Sequence, residues 1–223
     1  MSKRIVVLGA GISGVGAAVL AKKKGFDVFV SDKGKITDDN KKVLLNNEID
    51  WEEGKHTLDK ILNADEVVKS PGIADKVELI QKLKFQSIPV ISEVEFAFRY
   101  TKAKIAAITG SNGKTTTTLL LGHVLKNAGY DVLVAGNVGV GFALSIAQRD
   151  YDYIVLELSS FQLDGIQNFR SDVAIILNVT PDHLDRYDYK LENYTASKFR
   201  ITENQLATDF LIYSADDTLV NAI

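Results

Sequence analysis

Thr109-Gly-Ser-Asn-Gly-Lys-Thr-Thr116 packs two glycines, a lysine and a run of hydroxyls into one short stretch. An apolar strand, Ile105 to Ile108, precedes it, and a helix opens at Lys114. A loop so placed points backbone N–H groups and the positive end of a helix at one spot, which suits a polyphosphate. Gly110 and Gly113 admit oxygens that a Cβ would push away. Lys114 can reach terminal phosphates, and Thr115 can set its hydroxyl on a phosphate-bridging Mg²⁺. Ile108 stands where the usual G-x-x-x-x-G-K-[ST] spacing has its first glycine. An ordinary Gly/Asn turn before a capped helix is the bland alternative. The strand before, the helix after and the Gly-Lys-Thr-Thr core favour an ATP site made by Gly110, Ser111, Asn112, Gly113, Lys114, Thr115 and Thr116.

Other chemistry-bearing groups sit at strand ends. Gly9-Ala-Gly-Ile-Ser-Gly14 follows the strand Ile5 to Leu8, and Asp32 closes the next strand. This is G-x-G-x-x-G with an acid at the ribose position, a fingerprint for a nucleotide diphosphate that is not confined to NAD. Glu157 ends the buried strand Tyr153 to Leu158, where an acid beside a phosphate loop can hold Mg²⁺ directly or through water; a solvated strand-end carboxylate is the alternative. Ser159-Ser-Phe-Gln162 follows it as a polar cluster. Asn178-Val-Thr-Pro-Asp-His-Leu-Asp-Arg-Tyr187 gathers two acids, His183 and Arg186 in one loop, although Asp182 could be a helix cap and His183 a satisfied loop imidazole. Lys198 on a helix has little weight from spacing alone, and His56 and His123 lack such context and read as structural or solvated.

The elements that must carry these groups alternate β and α throughout, so the expected fold is α/β, with two mainly parallel, helix-covered sheets. Helices are expected at Lys41 to Asn46, Asp75 to Lys84, Lys114 to Asn127 and Leu191 to Asn204. Strands are expected at Val67 to Lys69, Ile88 to Ile91, Asp131 to Ala135, Val173 to Leu177 and Asp209 to Tyr213. Ser92 with Glu95 forms a capping-box pattern, and Asp216 is a further cap candidate. The expected division is a Rossmann-like domain over 1–101 and a P-loop-type ATP-binding domain over 102–223. With 223 residues, 46% hydrophobic and 25% charged, the chain has ample core. A net charge of −3 gives no reason to expect nucleic acid or an anionic membrane as partner, and there is no cysteine for thiolate chemistry. No apolar stretch is long enough for a membrane span and no signal-peptide core follows Ser2-Lys-Arg, so a cytoplasmic, soluble protein is expected.

Four segments together resemble the Mur ligase family of peptidoglycan synthesis: Thr109 to Thr116, Gly136-Asn-Val-Gly139, Glu157-Leu-Ser-Ser-Phe-Gln-Leu163 and Asn178 to Tyr187. The Ser-Ser-Phe-Gln-Leu run, the Gly9 to Gly14 opening and Ser70-Pro-Gly-Ile73 are similar to the member that adds D-glutamate. The resemblance implies that the first domain holds the UDP of UDP-N-acetylmuramoyl-L-alanine, with Ile12 and Ser13 on the diphosphate and Asp32, Lys33 and Gly72 near the uridine. Asn137, Ser159, Gln162 and His183 would contact the muramoyl-alanine part. Thr115 and Glu157 would hold one Mg²⁺; His183 and a carbamate on Lys198 would hold a second, the segment Ala196 to Ile201 matching the family's lysine segment. Lys114, His183 and Lys198 would be the catalytic groups.

The implied reaction activates the alanyl carboxylate as an acyl phosphate with ATP, and the amine of D-glutamate then displaces phosphate. Family members are considerably longer, which implies that part of the central domain and a third, amino-acid-binding domain lie outside this chain and that it is an incomplete fragment, able to bind the UDP substrate but inactive alone. A monomer is expected. Three rival readings stay open: an NAD(P)-binding oxidoreductase, argued from Gly9 to Gly14 and Asp32; a non-catalytic nucleotide-binding module or P-loop switch protein; and a sibling ligase adding another amino acid.

Overall fold

A computed structural model describes residues 2–221. The chain divides into two compact units, one holding the chain up to Tyr100 together with Gly141–Arg149, the other Thr101–Val140 and the chain from Asp150 onward.

In the first unit, strands β1 (Arg4–Leu8), β2 (Asp27–Asp32), β3 (Asp50–Glu53), β4 (Glu66–Lys69) and β5 (Val90–Ser92) form an all-parallel sheet ordered β3-β2-β1-β4-β5. The apolar run Ile5 to Leu8 suits its central place, where both faces are covered and each side chain is buried. Helices α1 (Ile12–Lys23), α2 (Asp38–Asn46), α3 (Leu58–Ile61), α4 (Glu78–Phe85) and α5 (Glu93–Phe98) connect the strands. Helix α1 buries every residue from Gly14 to Ala21, so it shows no polar stripe. Its outer side is covered by a further helix, α7 (Phe142–Gln148), which belongs to this unit although it lies far along the chain. Gly16 makes that packing possible, because a Cβ there would stand 3.0 Å from Leu144 N.

The second unit is also all-parallel. Its strands β6 (Lys104–Thr109), β7 (Val132–Gly136), β8 (Tyr153–Glu157), β9 (Val173–Ile176) and β10 (Phe210–Tyr213) are ordered β10-β9-β6-β8-β7. Helices α6 (Lys114–Asn127), α8 (Ser160–Leu163), α9 (Leu191–Phe199) and α10 (Thr218–Asn221) complete it. The four apolar side chains of the edge strand β10 are exposed, as are Leu119, Leu120 and Val124 on α6.

Several element ends differ from the sequence expectation. Helix α9 stops at Phe199 and tightens into a 3₁₀ turn, Arg200–Thr202, instead of running to Asn204; Arg200 there donates to the carbonyls of Asp164 and Ile166. Helix α4 begins at Glu78, not Asp75, because the Asp75 carboxylate is paired with Lys69 and Lys84. The final helix is capped by Asp217, which accepts from Leu219 N and Val220 N, and not by Asp216.

In each sheet the order reverses at a central strand, and ligands of open parallel sheets bind at the carboxyl ends beside such a reversal. In the first unit that place lies after β1 and β4, where Gly9 to Gly14 and Ser70 to Ile73 stand. In the second it lies after β6, β8 and β9, where the phosphate loop, Glu157 and Asn178 stand.

Candidate functional site

The loop after β6 is held open by its neighbour after β9. Asn178 accepts from Ser111 N on its carbonyl and from Asn112 N on Oδ1, at 2.9 Å each, and its amide donates back to Asn112 O at 3.1 Å. Ser111 Oγ donates to Thr180 O and accepts from Thr180 N, both at 2.9 Å. These bonds fix the loop from outside, so its inner face is left for a ligand. Gly113 sits in the left-handed region at φ 82° and starts α6, a conformation that costs glycine little. A Cβ on Gly110 would come within 3.0 Å of Leu177 Cβ. A backbone so arranged could cradle a phosphate, and Thr115 and Thr116 lie exposed on the first turn of the helix.

Two ammonium groups converge on one carbonyl oxygen of this loop. Lys114 Nζ donates to Gly110 O at 2.9 Å and to Ser111 O at 3.0 Å, and Lys198 Nζ donates to Gly110 O at 2.8 Å. Lys198 is only 1% exposed. Burial, and then the Lys114 charge, push its pKa down to about 8, with Asp182 pulling the other way. An amine so placed is partly neutral near neutral pH and can act as a nucleophile. It also lies over the Tyr194 ring at 4.4 Å. Helix α9 is pinned beside it by Ser197, which donates to Asp164 Oδ1 at 2.6 Å.

Glu157 ends β8 with its side chain 2% exposed. Thr115 Oγ1 donates to its Oε2 at 2.7 Å and Asn137 Nδ2 to its Oε1 at 2.9 Å. Hydroxyl and carboxylate at the mouth of a phosphate cradle are the hard oxygen donors that Mg²⁺ takes together with phosphate oxygens. Among the described residues no three His, Cys, Asp or Glu side chains cluster as a metal site. The donor set therefore fits a cation shared with a phosphate ligand better than one caged by protein alone.

The remaining candidates are distributed differently. His183 has φ 49°, its imidazole is half exposed, and it lies 3.5 Å from Asp182 and against the Phe161 ring. Ser159 and Gln162 cap α8 reciprocally: Gln162 N donates to Ser159 Oγ at 3.3 Å and Ser159 N to Gln162 Oε1 at 3.0 Å. The S-x-x-Q spacing of that capping box was the signal in the sequence for this structural duty.

The first unit contains a cleft of about 700 Å³, bordered by Gly9, Gly11, Asp32, Lys33, Gly72 and His56. A Cβ on Gly14 would stand 1.9 Å from Gly9 O, so only glycine lets α1 start this close to β1. Ile12 and Ser13 open α1 beside Gly11. Asp32 accepts from Ala10 N on Oδ2 at 2.6 Å and from Gly34 N on Oδ1 at 2.7 Å, so it shapes both turns at the cleft. Lys69 donates to Ile73 O at 2.6 Å and steadies the Ser70 to Ile73 turn. His56, which lacked context in the sequence, is on the wall of this cleft because β3 and the turn after it bring it there.

Comparison with known proteins follows the same division. Residues 108–223 match the Mur ligase middle domain and residues 4–79 the MurD N-terminal domain. The chain is 59% identical over 218 residues to UDP-N-acetylmuramoylalanine--D-glutamate ligase of Bacteroides fragilis, covering 98% of this chain and 49% of that protein. The enzyme of the same name from Christiangramia forsetii is 58% identical over 217 residues, 97% of this chain and 49% of that one. The chain thus spans about half the length of these curated relatives. Among solved structures, a UDP-N-acetylmuramate:L-alanyl-gamma-D-glutamyl-meso-diaminopimelate ligase from Neisseria meningitides shares the fold at TM-score 0.66 and 20% identity, over 100% of this chain and 74% of that one. The UDP-N-acetylmuramate-alanine ligase of Thermotoga maritima does so at TM-score 0.62 and 24% identity, over 100% and 51%.

Proposed function

The chain belongs to the Mur ligase family, and on that premise we propose that it supplies the UDP- and ATP-binding parts of a cytoplasmic ligase joining D-glutamate to UDP-N-acetylmuramoyl-L-alanine. The observation that carries this reading is the convergence of Lys114 and Lys198 on Gly110 O. The Lys114 cation beside a loop of backbone N–H groups suits the phosphates of ATP, and the Lys114 charge helps keep the neighbouring Lys198 amine partly neutral, as carbamylation requires.

The residues divide the work as follows. Gly110, Ser111, Asn112, Gly113 and Thr116 would cradle the β- and γ-phosphates with backbone and hydroxyl hydrogens, and Lys114 would offset charge that builds as the alanyl carboxylate is phosphorylated. Thr115 and Glu157 would hold Mg²⁺, which when bound supplies Lewis-acid neutralisation of the phosphate oxygens. Neutral Lys198 would take up CO₂, its nitrogen bonding to carbon and losing a proton, and become an anionic oxygen ligand to a second Mg²⁺ with His183. Asn137, Ser159 and Gln162 would face the muramoyl-alanine part. In the first unit Ile12 and Ser13 would take the diphosphate and Asp32, Lys33 and Gly72 the uridine.

Calorimetric titration with UDP-N-acetylmuramoyl-L-alanine, UMP and NADH tests the reading. Binding of the first two, weakened by Asp32→Ala, is the expected result. NADH binding without a response to UMP would sink it in favour of a nicotinamide-dependent oxidoreductase.

A further inference from the structure

We propose that His56 reads the base of the nucleotide in the first-unit cleft, accepting the imide N–H of uracil on Nε2. This deepens the UDP-binding reading of that cleft and rests on it.

The argument starts at Glu52, on β3 and 7% exposed. Its carboxylate accepts from Thr57 N at 2.7 Å, Thr57 Oγ1 at 2.6 Å and Ser31 Oγ at 2.8 Å. Burial pushes its pKa up, but these hydrogen bonds prevail and hold it below the usual glutamate value, so Glu52 is an acceptor. Ser31 is fully buried and has one hydroxyl hydrogen, which goes to Glu52 Oε1 at 2.8 Å, with Lys55 O at 3.4 Å the longer alternative acceptor. His56 Nδ1 stands 2.7 Å from the same Ser31 Oγ and must therefore be the donor of that pair. A neutral imidazole with hydrogen on Nδ1 carries a lone pair on Nε2. Among the described residues Nε2 has no hydrogen-bond partner, and the ring borders the cleft.

The ring is neutral at physiological pH for a physical reason. Burial lowers its pKa and Lys33 lowers it further, against the opposing charges of Glu52 and Asp32.

Strand order locates the ligand part that meets Nε2. The turn after β1 is the phosphate position and Asp32, after β2, the ribose position. His56 follows β3, one strand further out, which is where the base falls. Uracil presents an N–H between two carbonyls, whereas cytosine presents a lone pair at that atom. A fixed acceptor therefore selects one base over the other, as a fixed buried donor or acceptor selects any complementary group.

Calorimetry with UMP and CMP on this chain and on His56→Leu gives the test, at pH 7.5. The wild type is expected to bind UMP about tenfold more tightly than CMP, and His56→Leu to remove most of that preference by weakening UMP alone. Long-range ¹H–¹⁵N spectra of wild-type His56 should show hydrogen on Nδ1 and a shift of Nε2 when UMP is added, a readout independent of how well the variant folds. Absence of UMP binding by folded wild type would overturn the cleft assignment and the proposal with it. UMP binding with no base preference, a preference untouched by His56→Leu, or hydrogen on Nε2 would overturn the proposal alone.

Discussion

Thr115 gives its hydroxyl hydrogen to Glu157 Oε2 across 2.7 Å, tying the first turn of α6 to the end of β8. Both groups are oxygen ligands suited to one cation, and the bond sets them side by side before any cation arrives.

Glu157→Gln is expected to weaken Mg²⁺–ATP by about 10–100-fold while leaving metal-free nucleotide nearly unchanged, since ligand charge is what the metal loses. The amide oxygen can still accept from Asn137, so thermal stability should move little. Titration with and without Mg²⁺ checks both statements, and equal losses in the two conditions would reject the metal role.

Lys198 makes the opposite trade. Its pKa near 8 lies below the value for a free lysine, so the unfolded chain binds more protons between the two. Stability should rise as pH climbs from about 8 towards 10.5, and at pH 7 the buried charge costs up to about 3 kcal/mol. Lys198→Met should therefore raise Tm at pH 7 and remove a carbamate ¹³C signal seen with labelled CO₂. A carbamate signal that survives the substitution would place the modification elsewhere.

Glu93 provides a second pH dependence, in the first unit. Burial raises its pKa to about 7, against the hydrogen bond it accepts from Ala143 N at 2.6 Å. A raised carboxyl favours folding when protonated, so this contribution is present below about pH 4.5 and is lost as pH rises through about 7. Glu93→Gln keeps the acceptor and should flatten the fall in stability between about pH 4.5 and 7. Chemical denaturation at both pH values measures it, and an unchanged slope would show that Glu93 titrates normally.

The strongly patterned parts of both units are legible in the sequence. Continuous apolar runs such as Ile5 to Leu8 and Ile105 to Ile108 read as strands, and the turns that follow them carry their own glycine signals. Strand β3 was not legible, because Asp-Trp-Glu-Glu has one apolar residue and pairs on one side only at the sheet edge. With β3 unseen, His56 had no place, and the cleft lost one wall. Helix α7 was equally hidden: its seven residues lack a side-chain cap, and what it packs against is distant in sequence. The close approach of Lys198 to Gly110 spans 88 residues and no local pattern announces it; only the family segment around it did.

The position of α7 has a consequence for anyone who would cut the chain. The helix is encoded between β7 and β8 of the second unit, yet its neighbours are α1 and α5 of the first. A gene fragment ending at Tyr100 would leave Gly16 and the alanine-rich side of α1 facing water, and the other fragment would carry a helix with nothing to pack on. The two halves are interleaved in the code, so they are expressed soundly only as one piece.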